Sequence, residues 1–266
     1  MNEVTYKKYL NGERLYKEGK SLSQIGKELH LDRNRLAKFL KERGVHVERM
    51  PHKKHINENV FKTIDSEEKA YWLGFLYADG SVTNRSDIDI SLQLSDERHV
   101  EKFYNFIEFG GKIIKDNYRC RVSFKNVKMR DDLINLGCVP KKSLILKFPS
   151  EEQVPNEFIR HFLRGYFDGD GSLICTNKTK AISLIGTYDF LEKTCELIGI
   201  PKGRIYPLNN KTNKTFRIET SSKNNILNTC HYLYDDCSIY LDRKYEKYKM
   251  LIEYYSAVQN RNVLDN

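Results

Sequence analysis

No stretch of the 266-residue chain approaches the roughly 18 uncharged apolar residues that a membrane span requires. The N-terminal segment "MNEVTYKKYLNGERLYKEG" also has no hydrophobic signal core. No membrane partner is therefore expected, and the chain is expected to stay in the cytoplasm where it is made. The six cysteines (Cys120, Cys138, Cys175, Cys195, Cys230 and Cys237) include no CxxC pair. Their scatter over apolar positions fits reduced, packed thiols better than a zinc site or a disulfide framework. His46, His52 and His55 lie close together, but no cysteine or acid completes a ligand set around them, and a polar basic linker is the simpler expectation.

What is present is basic charge, unevenly placed. The net charge is +9, of which residues 1–55 carry +7, from 14 Lys/Arg against 7 Asp/Glu. A basic module on a nearly balanced body points to a polyanionic partner, most simply nucleic acid. With 39% hydrophobic residues and a mean hydropathy of -0.63, the chain is long enough to bury a core without covalent help.

Within residues 15–45, Leu22, Ile25, Leu29, Leu36, Phe39 and Leu40 recur at helical spacing, with a break around His30 and Leu31. Two short helices joined by a tight turn are expected, capped by Ser21 or Ser23 and by Asp32. The second would present Arg33, Asn34, Arg35, Lys38 and Lys41 outward, residue types that contact phosphates and base edges in a major groove. This pattern resembles a helix-turn-helix. Residues 1–45 are therefore expected to form a small all-α DNA-binding domain. Residues 46–60, with Pro51 and a run of His and Lys, should be a basic linker.

The body contains a repeat. "WLGFLYADGSV" (72–82) returns as "LRGYFDGDGSL" (163–173), at a constant offset of 91 residues. Each motif ends a helix, starting near Asp65 or Ser66 in one copy and near Asn156 in the other. Each is followed by strands, an apolar helix and more strands. Gly74 and Ala78, like Gly165 and Gly169, are four residues apart and so share one side of their helix, where small residues let two backbones approach closely. If these stripes pack about a pseudo-twofold axis, Asp79 and Asp170 emerge together, each just before a glycine that can turn the chain. Two adjacent carboxylates repel unless a cation or a proton intervenes. Oxygen-seeking Mg2+ is the expected answer, and such sites hydrolyse phosphodiesters. An EF-hand over 168–179 is excluded, because Leu173 and Thr179 stand where that loop requires glycine and glutamate.

The two motifs, read as W-L-G-F-L-Y-A-D-G and L-R-G-Y-F-D-G-D-G, resemble those of the LAGLIDADG homing endonucleases in their single-chain, two-repeat form. The resemblance covers about residues 60–255. It implies an α+β fold of two pseudo-symmetric repeats, over 61–150 and 151–266, forming a β-saddle on double-stranded DNA. It also implies a monomer that cuts both strands at a long site and is encoded by a mobile gene of bacterial or phage origin. Asp79 and Asp170 would be the metal-binding acids, joined by Gly80 and Gly171. Mg2+ would be the working ion, Mn2+ a substitute, and Ca2+ an ion that binds without supporting cleavage. Lys142 and Lys244 match the basic catalytic positions, although they follow their aspartates by 63 and 74 residues. Tyr77 in place of an acid, and Arg164 in place of a small residue, depart from the pattern and are expected to be packing or surface variation, while Asp168 keeps the acid in the second motif.

Two strands alternate cleanly. Over 86–96 the dry side is Ile88, Ile90, Leu92 and Leu94, and the wet side includes Ser91 and Gln93. Over 117–126 the dry side is Tyr118, Cys120, Val122 and Phe124, and the wet side is Arg119, Arg121, Ser123 and Lys125. Over 214–222, Arg217 and Glu219 lie opposite Phe216 and Ile218. These wet faces are suited to a major groove, and their difference predicts an asymmetric target. The rivals to a nuclease are a non-cleaving DNA-binding regulator of the same fold and a maturase that binds intron RNA. Retention of both motif aspartates argues against a pure binder, which gains little from clustered negative charge beside phosphates.

Overall fold

The computed structural model describes residues 3–47, 55–208 and 215–264, in two compact units divided near residue 53. In the first unit, α1 (Glu3–Lys17), α2 (Leu22–Leu29) and α3 (Arg33–Glu42) pack around Tyr9, Leu15, Ile25, Leu36, Phe39 and Leu40. Ser21 caps α2 in a reciprocal capping box with Gln24, and Asp32 caps α3 by accepting from the N–H groups of Asn34 and Arg35. His30 ends α2 in the left-handed region at φ 55°, producing the tight turn. Helix α1 is an addition to the sequence pattern. Its inward face carries Glu13, only 8% exposed, and the acid is neutralised by Arg43 at 2.5 Å and Lys17 at 2.8 Å.

Of the expected linker, residues 48–54, including His52, lie outside the described residues. Its end is not free chain: the Gly110 N–H donates to the His55 carbonyl at 2.8 Å, the Asn57 N–H donates to Ile107 at 2.9 Å, and Val60 is in the core.

The second unit is built twice from one plan. The first copy runs α4 (Glu67–Ala78), β1 (Gly80–Val82), β2 (Asp87–Gln93), α5 (Glu97–Phe106), β3 (Ile114–Lys115), β4 (Arg119–Lys125) and α6 (Val127–Asn135). The second runs α7 (Ile159–Asp170), β5 (Gly171–Cys175), β6 (Lys180–Gly186), α8 (Tyr188–Ile198), β7 (Ile205–Pro207), β8 (Phe216–Thr220) and α9 (Lys223–Tyr234), followed by α10 (Asp242–Leu264). Each copy forms a four-stranded antiparallel sheet with the same order, β1-β2-β4-β3 and β5-β6-β8-β7. The fold is therefore α+β with two pseudo-symmetric halves. No helix among the described residues is long and apolar enough to cross a membrane.

Several local expectations are corrected. Ser66 does cap α4, but α7 begins at Ile159, after a 3-10 turn over Asn156–Phe158, with no side-chain cap. Strand β2 stops at Gln93, so Leu94 enters a 3-10 turn and is 38% exposed. Tyr118 is 80% exposed rather than inward, because β4 starts only at Arg119. The Asp116 carboxylate accepts from the N–H groups of Tyr118 and Arg119, both at 2.8 Å, and forms a turn where alternation would have continued.

The centre of the unit is the contact between α4 and α7, which shows why the motifs need their glycines. A Cβ on Gly74 would strike the Phe162 carbonyl and approach the Tyr166 nitrogen; a Cβ on Gly165 would strike the Tyr71 carbonyl and approach the Phe75 nitrogen. Phe162 and Tyr166 are Tyr71 and Phe75 displaced by 91 residues, so the contact is a local pseudo-twofold. One turn further on, a Cβ on Gly169 would strike the methyl group of Ala78, leaving room for one methyl there and not two.

Candidate active site and nucleic-acid face

Because α4 and α7 cross at their small residues, they also end together. Asp79 is the C-cap of α4, its N–H bonded to the Phe75 carbonyl at 2.9 Å, and Asp170 is the last residue of α7. The Asp79 carboxyl carbon lies 3.5 Å from the place a Cβ on Gly169 would occupy, so the acid of one repeat stands against the helix end of the other. The glycines that follow serve close packing rather than unusual dihedrals. Gly171 has φ -83°, and a Cβ there would lie 2.5 Å from the Phe167 carbonyl oxygen. At Gly80 it would lie 2.7 Å from that of Leu76. Each glycine lets a strand start directly beneath the final helical turn.

Two carboxylates at two helix C-termini face unfavourable dipoles as well as each other. Both reach solvent, yet enough protein surrounds them that desolvation is the foremost cause raising both pKa values. Burial and then the charge of Asp79 push Asp170 up to about 6, against the pull of Lys142 and Lys244. Asp79 is raised by burial, offset by Lys244, Lys142 and Arg243, with Asp96 acting against them.

Lys142 and Lys244 are brought to matching places. Lys142, 8% exposed, donates through Nζ to the Gly80 carbonyl. Lys244, 2% exposed, donates to the carbonyls of Gly171 at 2.6 Å, Phe167 at 2.5 Å and Asp168 at 2.8 Å, placing its charge on the end of α7. Burial brings the Lys244 ammonium down to about 8. Their unequal spacing in sequence comes from insertions that leave the site untouched: a longer β7–β8 hairpin, a longer α9 and a longer approach to Lys244. The Gly80 and Gly171 carbonyls, beside the two aspartates, thus each accept one bond from an ammonium group and keep a second lone pair. Among the described residues no group of three or more His, Cys, Asp or Glu side chains could hold a metal ion.

Of the two expectations for Arg164 the structure shows packing, since it is buried with 0% exposure, as is Asp168, which keeps the acid. Arg164 donates to the carbonyls of Ile239 at 2.8 Å and Leu233 at 3.1 Å, and to Glu67 of the other repeat at 2.7 Å. Asp168 accepts from Tyr71, Tyr234 and the Leu241 N–H, each at 2.7 Å. Tyr77 donates to the Leu136 carbonyl at 2.5 Å and also belongs to the core.

The sheets place the remaining expected residues. In register, Ser91 lies across from Arg121, Gln93 from Arg119, Asp89 from Ser123 and Asp87 from Lys125, so these side chains share the face opposite the core. Arg119 and Arg121 are exposed and make no ion pair among the described residues, while Lys125 pairs with Asp87 at 3.3 Å. Gln93 is tied to Asp96 at 3.0 Å, and Asp96 pairs with Arg243 at 3.0 Å. Sequence reasoning passed over Arg243, although it adjoins Lys244. In the second sheet Arg217 and Glu219 are exposed and paired to each other at 2.8 Å. In the separate N-terminal unit, Arg33, Asn34, Arg35 and Lys38 are all exposed on α3.

The sequence matches no family model and no curated protein. Its fold is that of the LAGLIDADG homing endonucleases in their single-chain form. The crystal structure of the homing endonuclease I-GzeII in complex with its DNA target superposes with a TM-score of 0.53 at 13% identity, over 73% of this chain and 91% of that one. The meganuclease I-CpaMI, bound to uncleaved DNA, gives 0.50 at 12% identity over 73% and 92%.

Proposed function

We propose that this protein is a metal-dependent, site-specific endonuclease of double-stranded DNA. The observation that carries this is the placement of Asp79 and Asp170 side by side at two helix ends, with buried Lys142 and Lys244 beside them, where β1 and β5 begin. The two fold neighbours named above were both solved on DNA. An oxygen-only acidic pair suits Mg2+, which when bound would supply charge neutralisation and an acidified water.

The chain's own groups account for the rest. Asp79 and Asp170 would hold the ion as carboxylates, Asp170 having released its proton. Lys142 and Lys244, fixed by backbone carbonyls, keep positive charge where a phosphodiester gains negative charge during displacement. Arg119, Arg121, Ser91, Ser123, Lys125 and Arg217 line the open sheet faces that lead away from the acids and give the strand registers a groove to follow. Helix α3 adds phosphate contacts from the N-terminal unit.

The test is cleavage of a plasmid library bearing random inserts, with Mg2+ and with EDTA, by the wild type and by Asp79→Asn and Asp170→Asn. A subset of plasmids should be linearised at a fixed position by the wild type with Mg2+ alone. Sequence-selective binding with no metal-dependent cutting of the bound sequences would replace the nuclease with a regulator.

A further inference from the structure

The two open sheet faces can be compared position by position, because the motif glycines fix a common register: Gly80 lies opposite Ile90 and Gly171 opposite Leu184. From there Ser91 corresponds to Ile185, and Asp87 to Ala181. The conserved offset of 91 residues makes Thr83 the counterpart of Ile174. Arg121 and Arg217 are themselves counterparts, since they lie across from Ser91 and Ile185. The edge strands add Ile114 across from Arg121 and Tyr206 across from Arg217.

At three matched places the first face offers two hydroxyls and a carboxylate and the second two isoleucines and a buried alanine; at the fourth both are apolar, with Ile114, 46% exposed, standing for Tyr206. Ile174 is 39% exposed and Tyr206 46%, and Ile185 is half-buried. They share their face with Ser172, Ser183, Glu219 and Arg217, the last two paired at 2.8 Å. One further step of the β5–β6 register brings Ile185 level with Asp170, so the apolar positions begin beside the acid pair and resume, past Ser172 and Ser183, at Ile174. Exposed isoleucines on a strand face gain nothing from water. The apolar feature of a duplex major groove is the 5-methyl group of thymine.

Resting on the DNA-binding reading above, we infer that the second sheet recognises its half of the duplex through thymine methyl groups, using Ile174, Ile185 and Tyr206. The first sheet, although Ile114 is exposed on it, reads its half chiefly by hydrogen bonds. Arg217 supplies the cationic contact that keeps the second face on the duplex, as Arg121 does for the first.

The full-length protein is used, in EDTA, to select duplexes from a random-sequence DNA pool. The best duplex is then remade with deoxyuridine in place of thymidine, one half at a time, which removes methyl groups and leaves every hydrogen-bonding group in place. Binding should weaken more in one half than in the other, by roughly fourfold for each contacted methyl, from the burial free energy of one such group. The triple variant Ile174→Thr, Ile185→Ser and Tyr206→Ser, which strips these apolar side chains from the second face, should lose that sensitivity while still binding DNA. Selective binding that is indifferent to uracil in both halves, or uracil sensitivity that survives in the variant, overturns the inference and leaves the DNA-binding reading standing. If no sequence is enriched, that reading falls and the inference with it.

Discussion

Tyr71 of the first repeat donates a 2.7 Å hydrogen bond to Asp168 of the second, and neither side chain has any exposure. The bond crosses the contact between the two helices that carry the acid pair. Its pseudo-symmetric counterpart does not exist, because Phe162 stands for Tyr71 and Tyr77 for Asp168 in the other direction. The same holds for Arg164 and Glu67, whose counterparts are Leu73 and Phe158. Two copies of the second repeat paired with each other would bury Arg164 and Asp168 without these partners, at a cost of several kcal/mol for each charge. The polar contacts therefore specify unlike halves, while the Gly74 and Gly165 contacts would serve like halves equally well.

Removing the Tyr71 hydroxyl should be costly. Tyr71→Phe strips a donor from a buried carboxylate and leaves His99 Nε2, 3.0 Å away, without its partner. It should lower stability by about 1.5–3 kcal/mol, as expected for a hydrogen bond to a charged group. Tyr234→Phe should do the same, and the double variant should depart from additivity, since both donors serve one carboxylate. Urea unfolding midpoints at constant slope read this directly. A loss below 0.5 kcal/mol for both single variants would mean that the carboxylate is satisfied without them.

At Gly74 the sign of the effect is informative. In an exposed helix Gly→Ala stabilises by about 1 kcal/mol. At Gly74 the new methyl would meet the Phe162 backbone, and at Gly165 that of Tyr71, neither of which can move without separating α4 from α7. Each substitution should instead destabilise by about 2 kcal/mol or more. Cleavage should fall further than the folded fraction does, because the acids ride on these helices. Circular dichroism melts paired with cleavage rates separate the two effects.

These elements differ in how legible they were in the sequence. The glycine stripe and the strands 87–93 and 119–125 were readable because their causes are local: a four-residue spacing, a two-residue alternation. The caps Ser21, Asp32 and Ser66 were readable for the same reason. Arg164 and Asp168 were not, since their partners come from residues 67, 71, 234, 239 and 241 and only the fold assembles them. Tyr118 was misplaced because the Asp116 turn overrode alternation at the strand end. The equivalence of Lys142 and Lys244 was obscured by insertions in the second copy. Only their shared bond to a motif glycine carbonyl makes it plain.

The burial of Asp170, and after it the charge of Asp79, leaves a signature in stability. The Asp170 pKa of about 6 lies above its ordinary 3.8, so the folded protein holds this proton more tightly than the unfolded chain does. Stability should therefore rise as pH falls from above 6 toward 4, and the penalty is complete above 6. In EDTA, Asp170→Asn should raise the melting temperature at pH 7.5 and have no such effect at pH 4. Mg2+ should stabilise the wild type and not the variant, with apparent affinity falling about tenfold per pH unit below 6 as protons compete for the site. A gain of equal size at both pH values would trace the effect to something other than this charge.

Helix α3 carries the last prediction. Arg33, Arg35 and Lys38 are exposed on one short helix, and Lys38 makes only a 3.8 Å pair with Glu42, so folding does not account for the cluster. If these cations sit on phosphates, each releases about one counterion on binding. The triple alanine variant should then reduce the slope of log affinity against log salt by roughly 2–3. The loss should be nearly the same for all sequences, because phosphate contacts carry no base identity. The cut position should stay where the wild type cuts, since Asp79 and Asp170 are untouched. Titrations of one selected duplex and one unrelated duplex over a range of salt concentrations distinguish the outcomes. An unchanged slope would make α3 an ordinary charged helix, whereas a shifted cut position would make it part of the reading frame for the site.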